Sequence, residues 1–256
     1  MLLSRLPALA LSLGLSLSLP AMAHFQELIP SAPALTQNRH LSLELTFTHP
    51  MAGGPVMPMQ RPEAFGVIIA GGKAEDLSGQ LQPLQRQGAD AYRLDYQVRQ
   101  PGDHLFYLSP ATYWEPDENK LIRHYTKVVV DAFSNHQGWD TLVGFPTEIE
   151  PLTRPYGLWT GNLFRGRVLR HGSPLPFGEV EVEWRNDGSI TAPTDAHQTQ
   201  LIKADAAGVF AYALPRAGWW GFSALSKAEG REAAPDGTQV PVEEAGLIWI
   251  HARDMQ

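Results

Sequence analysis

Three histidines, His24, His49 and His124, carry the chemistry this chain could do. His24 follows Ala21-Met22-Ala23, an A-x-A processing site placed just after the helix breaker Pro20. A chain cut there begins with His24, which offers two nitrogens, its imidazole and its own α-amino group. The amine has an ordinary pKa near ~8, so a metal displaces its proton readily at neutral pH. His49 continues the apolar parity of Leu41, Leu43, Leu45 and Phe47, and so leaves its strand on the core side. His124 shares a face with Ile122, Thr126, Val128 and Val130 in the run Leu121 to Ala132. Each histidine alone has an ordinary explanation: an arbitrary first residue, a strand end, a core histidine with its hydrogen bond made. Weighed together, with the N-terminal segment added to a sandwich edge, they read as one metal site. His24 would be its amine–imidazole anchor, and His49 and His124 its imidazole ligands. Such donors suit a divalent transition metal (Ni, Co, Cu or Zn), and on the donors alone Cu(II) ranks first. Met57 and Met59 could add sulfur or simply fill apolar gaps. Glu115 could add a carboxylate or start the turn at Pro116.

Other chemistry is thinly represented. The chain has no Cys, no G-x-S-x-G, no H-E-x-x-H and no Gly-rich loop opening a helix, so no catalytic role is assigned and a non-enzyme is expected. Glu179, Glu181 and Glu183 alternate with Val180 and Val182 and read as a solvated face. His104 follows a turn and reads as exposed, while His40, His136, His171, His197 and His251 are given no function. The net charge is −7, and loss of Arg5 with residues 1–23 makes it more negative still. An acidic chain without basic runs argues against nucleic acid or an anionic membrane as partner. No second apolar run reaches the roughly 18 residues that span a bilayer, so no membrane insertion is expected after cleavage.

The elements that must position these residues read as all-β. Residues 1–23 have the regions of a signal peptide in order: Arg5, an apolar stretch from Leu6 to Leu19, and the cleavage site. A periplasmic location follows, and without Cys the exported fold has no disulfides. Strict alternation over Leu41–Thr48 and Tyr92–Val98, and the long run Leu121–Ala132, predict the strands of a first β-sandwich over 24–150. A Pro-stiffened crossing, Glu148 to Tyr156, leads to a second sandwich over 155–256. Its strands are expected around Phe164–Leu169, Val180–Trp184, Val209–Leu214, Gly218–Phe222 and Leu247–Ile250.

Several longer motifs carry a resemblance. His24-Phe25-Gln26 with Ile29-Pro30-Ser31, Phe47-Thr48-His49-Pro50, Tyr113-Trp114-Glu115-Pro116 and His124-Tyr125-Thr126-Lys127-Val128 resemble the periplasmic components of ABC-type (energy-coupling-factor) cobalt/nickel uptake systems. That family also goes by an uncharacterised-domain name. Leu152 to Trp159 and Ala217 to Phe222 match as well, so the resemblance spans nearly the whole mature chain. It implies nickel or cobalt as the metal and a membrane Co/Ni transporter as partner. Where relatives tend to carry a histidine in the Met/Gly loop, this chain has Gly53-Gly54-Pro55 and Met57. The C-terminal part is similar to transthyretin-like and carboxypeptidase-regulatory-like sandwiches, which are usually scaffolds. Two other functions compete with metal uptake: a copper protein, either a carrier or an N-terminal-His oxygenase, and a structural or adhesion module with no metal.

N-terminal sequencing of the exported protein should read His24-Phe25-Gln26. A retained Met1 would remove the amine from the proposed donor set.

Overall fold

A computed structural model describes residues 23–255; the signal-peptide reading of residues 1–23 lies, apart from Ala23, outside the described residues. The chain is all-β. Its strands of three or more residues that build the sandwiches are β1 (Phe25–Pro30), β2 (His40–Thr48), β3 (Ala64–Ile69), β4 (Gln82–Arg86) and β5 (Ala89–Gln97), followed by β6 (Gly102–Ser109), β7 (Tyr113–Glu115) and β8 (Lys120–Ala132). The later part supplies β9 (Thr147–Pro151), β10 (Leu163–Arg170), β11 (Glu179–Trp184), β12 (Gln200–Lys203), β13 (Val209–Ala213), β14 (Gly218–Lys227) and β15 (Val242–Arg253). Helix is confined, among the described residues, to a turn at Ser78–Gln80 and one at Asp195–Gln198. No helix is long and apolar enough to cross a membrane among these residues.

One long sheet, ordered β12-β11-β14-β15-β8-β6-β3 with the short edge strand Ala74–Asp76 beyond β3, runs through the molecule. A smaller sheet, β1-β2-β5-β4, covers one of its faces, and β9-β10-β13 covers the other at the opposite end. The two sandwiches therefore share a sheet, and β15 is the strand they share. Its odd residues Ala245, Leu247 and Trp249 enter the first core, while Ile248, Ile250 and Ala252 enter the second. A strand covered on both faces needs a continuous apolar run rather than alternation, which is why Leu247 to Ile250 reads as it does.

This sharing binds the segments read as 24–150 and 155–256 to each other. Strand β15 pairs in parallel with β8 from Leu121↔Val242 to Val128↔Trp249, as an interior strand of the first sandwich. The expected crossing is itself partly strand: β9 pairs with β10 over five residues. It also carries Glu148, whose carboxylate meets Lys127 of β8 at 2.5 Å and accepts the backbone N–H groups of Val143, Gly144 and Phe145. Both partners of this ion pair are buried, so removing either would strand a charge in the interior.

At the edge of the first sandwich, β1 pairs antiparallel with β2 in the register Phe25↔Thr48 to Pro30↔Leu43. Two buried side chains fix it there. Trp249 donates its indole N–H to the Gln26 carbonyl at 3.0 Å, and its ring meets Phe25 edge-on. Gln26 donates in turn to the Thr46 carbonyl at 2.8 Å.

Trp249→Ala should destabilise the protein by about 3–5 kcal/mol, the usual cost of emptying a buried aromatic site, as read from urea unfolding. A chain ending near residue 150 lacks β15 and should show no cooperative unfolding transition. A sharp transition in that fragment would contradict the shared-sheet account.

Candidate metal centre

The register that builds the first sandwich also gathers the histidines. Since Phe25 pairs with Thr48, the next residue out on β1 is His24 and on β2 is His49. Their rings lie 4.7 Å apart between centroids. Phe47, pointing inward from β2, stacks on His24 at 5.5 Å and meets His124 edge-on at 5.8 Å. His124 thus joins the cluster through Phe47 and makes no direct ring contact with the other two among the described residues. All three are buried: 9% exposed for His24, 6% for His49 and 2% for His124.

Each ring is oriented by a hydrogen bond. His24 Nε2 lies 2.9 Å from Glu115 Oε2, and Glu115 uses its other oxygen to accept the Asp117 N–H at 3.0 Å. Glu115 therefore bonds the turn at Pro116–Asp117 with one oxygen and orients His24 with the other. It gets there because Tyr113–Glu115 pairs with β8 from Tyr113↔Ile122 to Glu115↔Lys120. His124 Nε2 faces Glu243 Oε1 at 3.3 Å, and Lys120 holds the second Glu243 oxygen at 2.6 Å. His124 Nδ1 is buried and has no hydrogen-bond partner. His49 Nδ1 lies 2.8 Å from the carbonyl of Ala23.

The electrostatics favour neutral His24. Burial, then the neighbouring His49, His124 and Lys120, lower its pKa to about 3, against a smaller pull from Glu243. In its neutral form Nε2–H donates to Glu115 and Nδ1 keeps its lone pair. His124 turns Nε2 toward Glu243, and its Nδ1 meets no hydrogen-bond partner. A carboxylate on the far nitrogen is how proteins commonly orient a ligating imidazole. Burial opposes ionisation of Glu243, but the bonds and charges of His124 and Lys120 outweigh it and hold the carboxyl at about 2.

No group of three or more His, Cys, Asp or Glu side chains stands in a metal-holding arrangement among the described residues. Met57 and Met59 sit in the first apolar core, and Met59 Sδ receives the Gln26 amide at 3.7 Å.

Sequence reasoning missed Glu243 and Lys120. Nothing in the spacing joins position 243 to 124; only the parallel pairing of β8 with β15 does. Two readings of exposure also need correcting. His104 is fully buried and stacks near Phe106, whose parity it shares. Glu183 is 1% exposed and accepts from the Met51 N–H and the Thr199 hydroxyl. Burial pushes Glu183 up to about 7, and burial with the Glu243 and Glu183 charges pushes Glu181 up to about 8. Glu179 and Glu181 keep partial exposure, so of the expected solvated face only Glu183 is closed off, by the Met51 and Thr199 segments that bond it.

Residues 21–228 match the family model described as Domain of unknown function (DUF4198). The chain belongs to the DUF4198 family. That description names no metal and no transporter, and no curated protein matches this DUF4198 chain. Among solved structures, the Yersinia pseudotuberculosis adhesin InvE aligns with 86% of the chain at 12% identity, over 58% of its own length, with a TM-score of 0.23. A two fibronectin type III domain segment from chicken tenascin aligns with 88% at 10% identity, over 98% of its length, at 0.22. The Bacillus cereus major pilin subunit BcpA aligns with 91% at 11% identity, over 69% of its length, at 0.21. The chain spans about three fifths of the first of these. At such scores the fold of this DUF4198 protein rests on its own sheets.

Because the folded pKa of His24 lies below its ordinary 6.5, the unfolded chain takes up a proton that the folded chain refuses. The stability from neutral His24 is present above about pH 6.5 and is lost as pH falls toward 3. Urea midpoints in EDTA should therefore fall between pH 7 and 4.5, and His24→Phe should flatten that fall. Equal slopes in the two proteins would mean that His24 is not held neutral.

Proposed function

We propose that the processed protein is a periplasmic carrier that binds one divalent transition-metal ion and serves its uptake, without catalysing a reaction. The observation that carries this reading is the 2.8 Å contact between His49 Nδ1 and the Ala23 carbonyl. That carbonyl belongs to the peptide bond cut at the A-x-A site. Cleavage removes His49's hydrogen-bond partner and creates the His24 α-amine beside the same imidazole. One event thus exchanges a closed hydrogen bond for a new nitrogen donor next to a freed one. The neutral His24 ring, held by Glu115 through Nε2, leaves Nδ1 as the nitrogen with a lone pair to give. His124, with a bare Nδ1 and Glu243 behind it, is the third donor of the set. Before cleavage the same nitrogen of His24 is an amide, which is a poor ligand at neutral pH, so the precursor should bind weakly.

Nickel or cobalt as cargo, and a membrane Co/Ni transporter as partner, rest on the motif resemblance. Copper is the competing metal, because an amine with imidazoles ranks Cu(II) highest and zinc just below it. A structural module with buried histidines is the alternative outside metal chemistry.

Equilibrium dialysis of the cleaved chain against Ni²⁺, Co²⁺, Cu²⁺ and Zn²⁺ should find one tight site per chain. His49→Ala and His124→Ala should each weaken it at least tenfold, about 1.4 kcal/mol. One extra residue ahead of His24 should weaken it comparably. Binding should also decline as pH drops through ~6.5, where free imidazoles protonate. Absence of a site in the cleaved chain would leave the structural-module reading.

A further inference from the structure

A second group of charges lies at the far end of β8, seven residues beyond His124 and thus roughly 23 Å away at 3.3 Å per strand residue. Asp131 of β8 lies directly opposite Asp103 of β6 in the antiparallel ladder. Direct partners share a face with Cβ atoms about 4.5–5.5 Å apart, where like charges repel. Asp103 is 0% exposed and Asp131 5%. Neither carboxylate oxygen of Asp103 has a hydrogen-bond partner, and neither does Oδ1 of Asp131. Two acids facing each other in an interior with three of their four oxygens lacking a hydrogen bond is an arrangement folded chains rarely keep.

The groups facing the pair are few. His136 Nδ1 lies 3.8 Å from Asp131 Oδ1 and 3.4 Å from the Tyr156 hydroxyl. Arg154 lies over the Tyr156 ring at 5.7 Å. Burial pushes Asp103 up to about 6, the Tyr156 hydroxyl pulls it back, and the Asp131 charge adds to the rise. His136 and Arg154 supply too little positive charge to reverse it.

We propose that Asp103 and Asp131 form a divalent-cation site that is separate from the histidine cluster. An ion between the carboxylates would convert their repulsion into shared attraction and give the unpartnered oxygens a ligand. The donors are oxygen-rich, which selects an oxygen-preferring cation of the Mn²⁺ or Ca²⁺ class, with water filling the other positions. The site would also anchor two segments to the outer face of the long sheet. The loop after β8 is already held where Gln137 accepts the Asp103 N–H, and Tyr156 packs with Ile68, Leu105 and Val129.

The test uses the full processed chain, stripped with EDTA and titrated with Mn²⁺ at pH 7.5, followed by electron paramagnetic resonance and thermal unfolding. One Mn²⁺ should bind per chain and raise the unfolding temperature. Both effects should persist in His49→Ala, which separates this site from the one proposed above, and should vanish in Asp103→Asn/Asp131→Asn. Should that double variant fail to fold, Asp131→Asn alone should bind Mn²⁺ at least tenfold more weakly. Three results would overturn the proposal: no Mn²⁺ uptake, uptake retained by the Asn variants, or Asn variants that outlast the cation-free wild type while the wild type gains nothing from Mn²⁺. The last would mark an acid pair that merely shares a proton.

Discussion

Strand β15 is buried on both faces, and the architecture depends on that constraint. A single interior strand supplies Leu247 and Trp249 to one core and Ile248 and Ile250 to the other, so neither sandwich has a complete core without it. Its pairing with β8 spans about 120 residues of sequence, which makes this contact non-local and its loop-closure cost large. What stabilises the pairing is the apolar area it removes from water on two sides at once. The Trp249 indole then reaches across to the Gln26 carbonyl and holds the N-terminal strand in register. Through that one hydrogen bond the end of the chain positions its beginning.

The same constraint explains which parts of the fold are readable from sequence. Strand β2 alternates between buried and half-exposed residues from Leu41 to Leu45, and the parity of its Leu and Phe residues places His49 inward, although Thr46 and Thr48 on the other parity are buried too. His124 is placed by the same argument on β8. Parity misleads at Glu183, which lies on the polar parity of β11 and is nonetheless buried, closed off by the Met51 and Thr199 segments. For His104 the signal was present, since it shares the parity of Phe106 and Leu108, but the preceding turn outweighed it. Tyr113–Glu115 reads as a loop between Pro110 and Pro116, and only its pairing with β8 makes it a strand. Turn residues report local backbone preference, whereas strand pairing is decided by distant partners.

The candidate site divides along the same line. His24, His49 and His124 are legible because each has a local marker: a processing site, a strand end, a parity. Glu243 and Lys120 have none, yet Glu243 faces His124 Nε2 and Lys120 holds that carboxylate in place. Sequence-local signals therefore find the nitrogens, and long-range pairing supplies the carboxylates that orient two of them. Asp103 and Asp131 show the opposite case, two acids far apart in sequence whose only notable property is being paired face to face.

The central claim is that removing Ala23 turns the His49 contact into a donor pair with the new terminus. Proton NMR of the processed chain with one equivalent of Co²⁺ tests it directly, because a paramagnetic ion shifts and relaxes the ring protons of the residues that hold it. The account predicts large hyperfine shifts for the rings of His24, His49 and His124, and none in a chain that retains Ala23. Shifts confined to exposed histidines such as His40 and His171, or identical spectra from the cleaved and uncleaved chains, would contradict it.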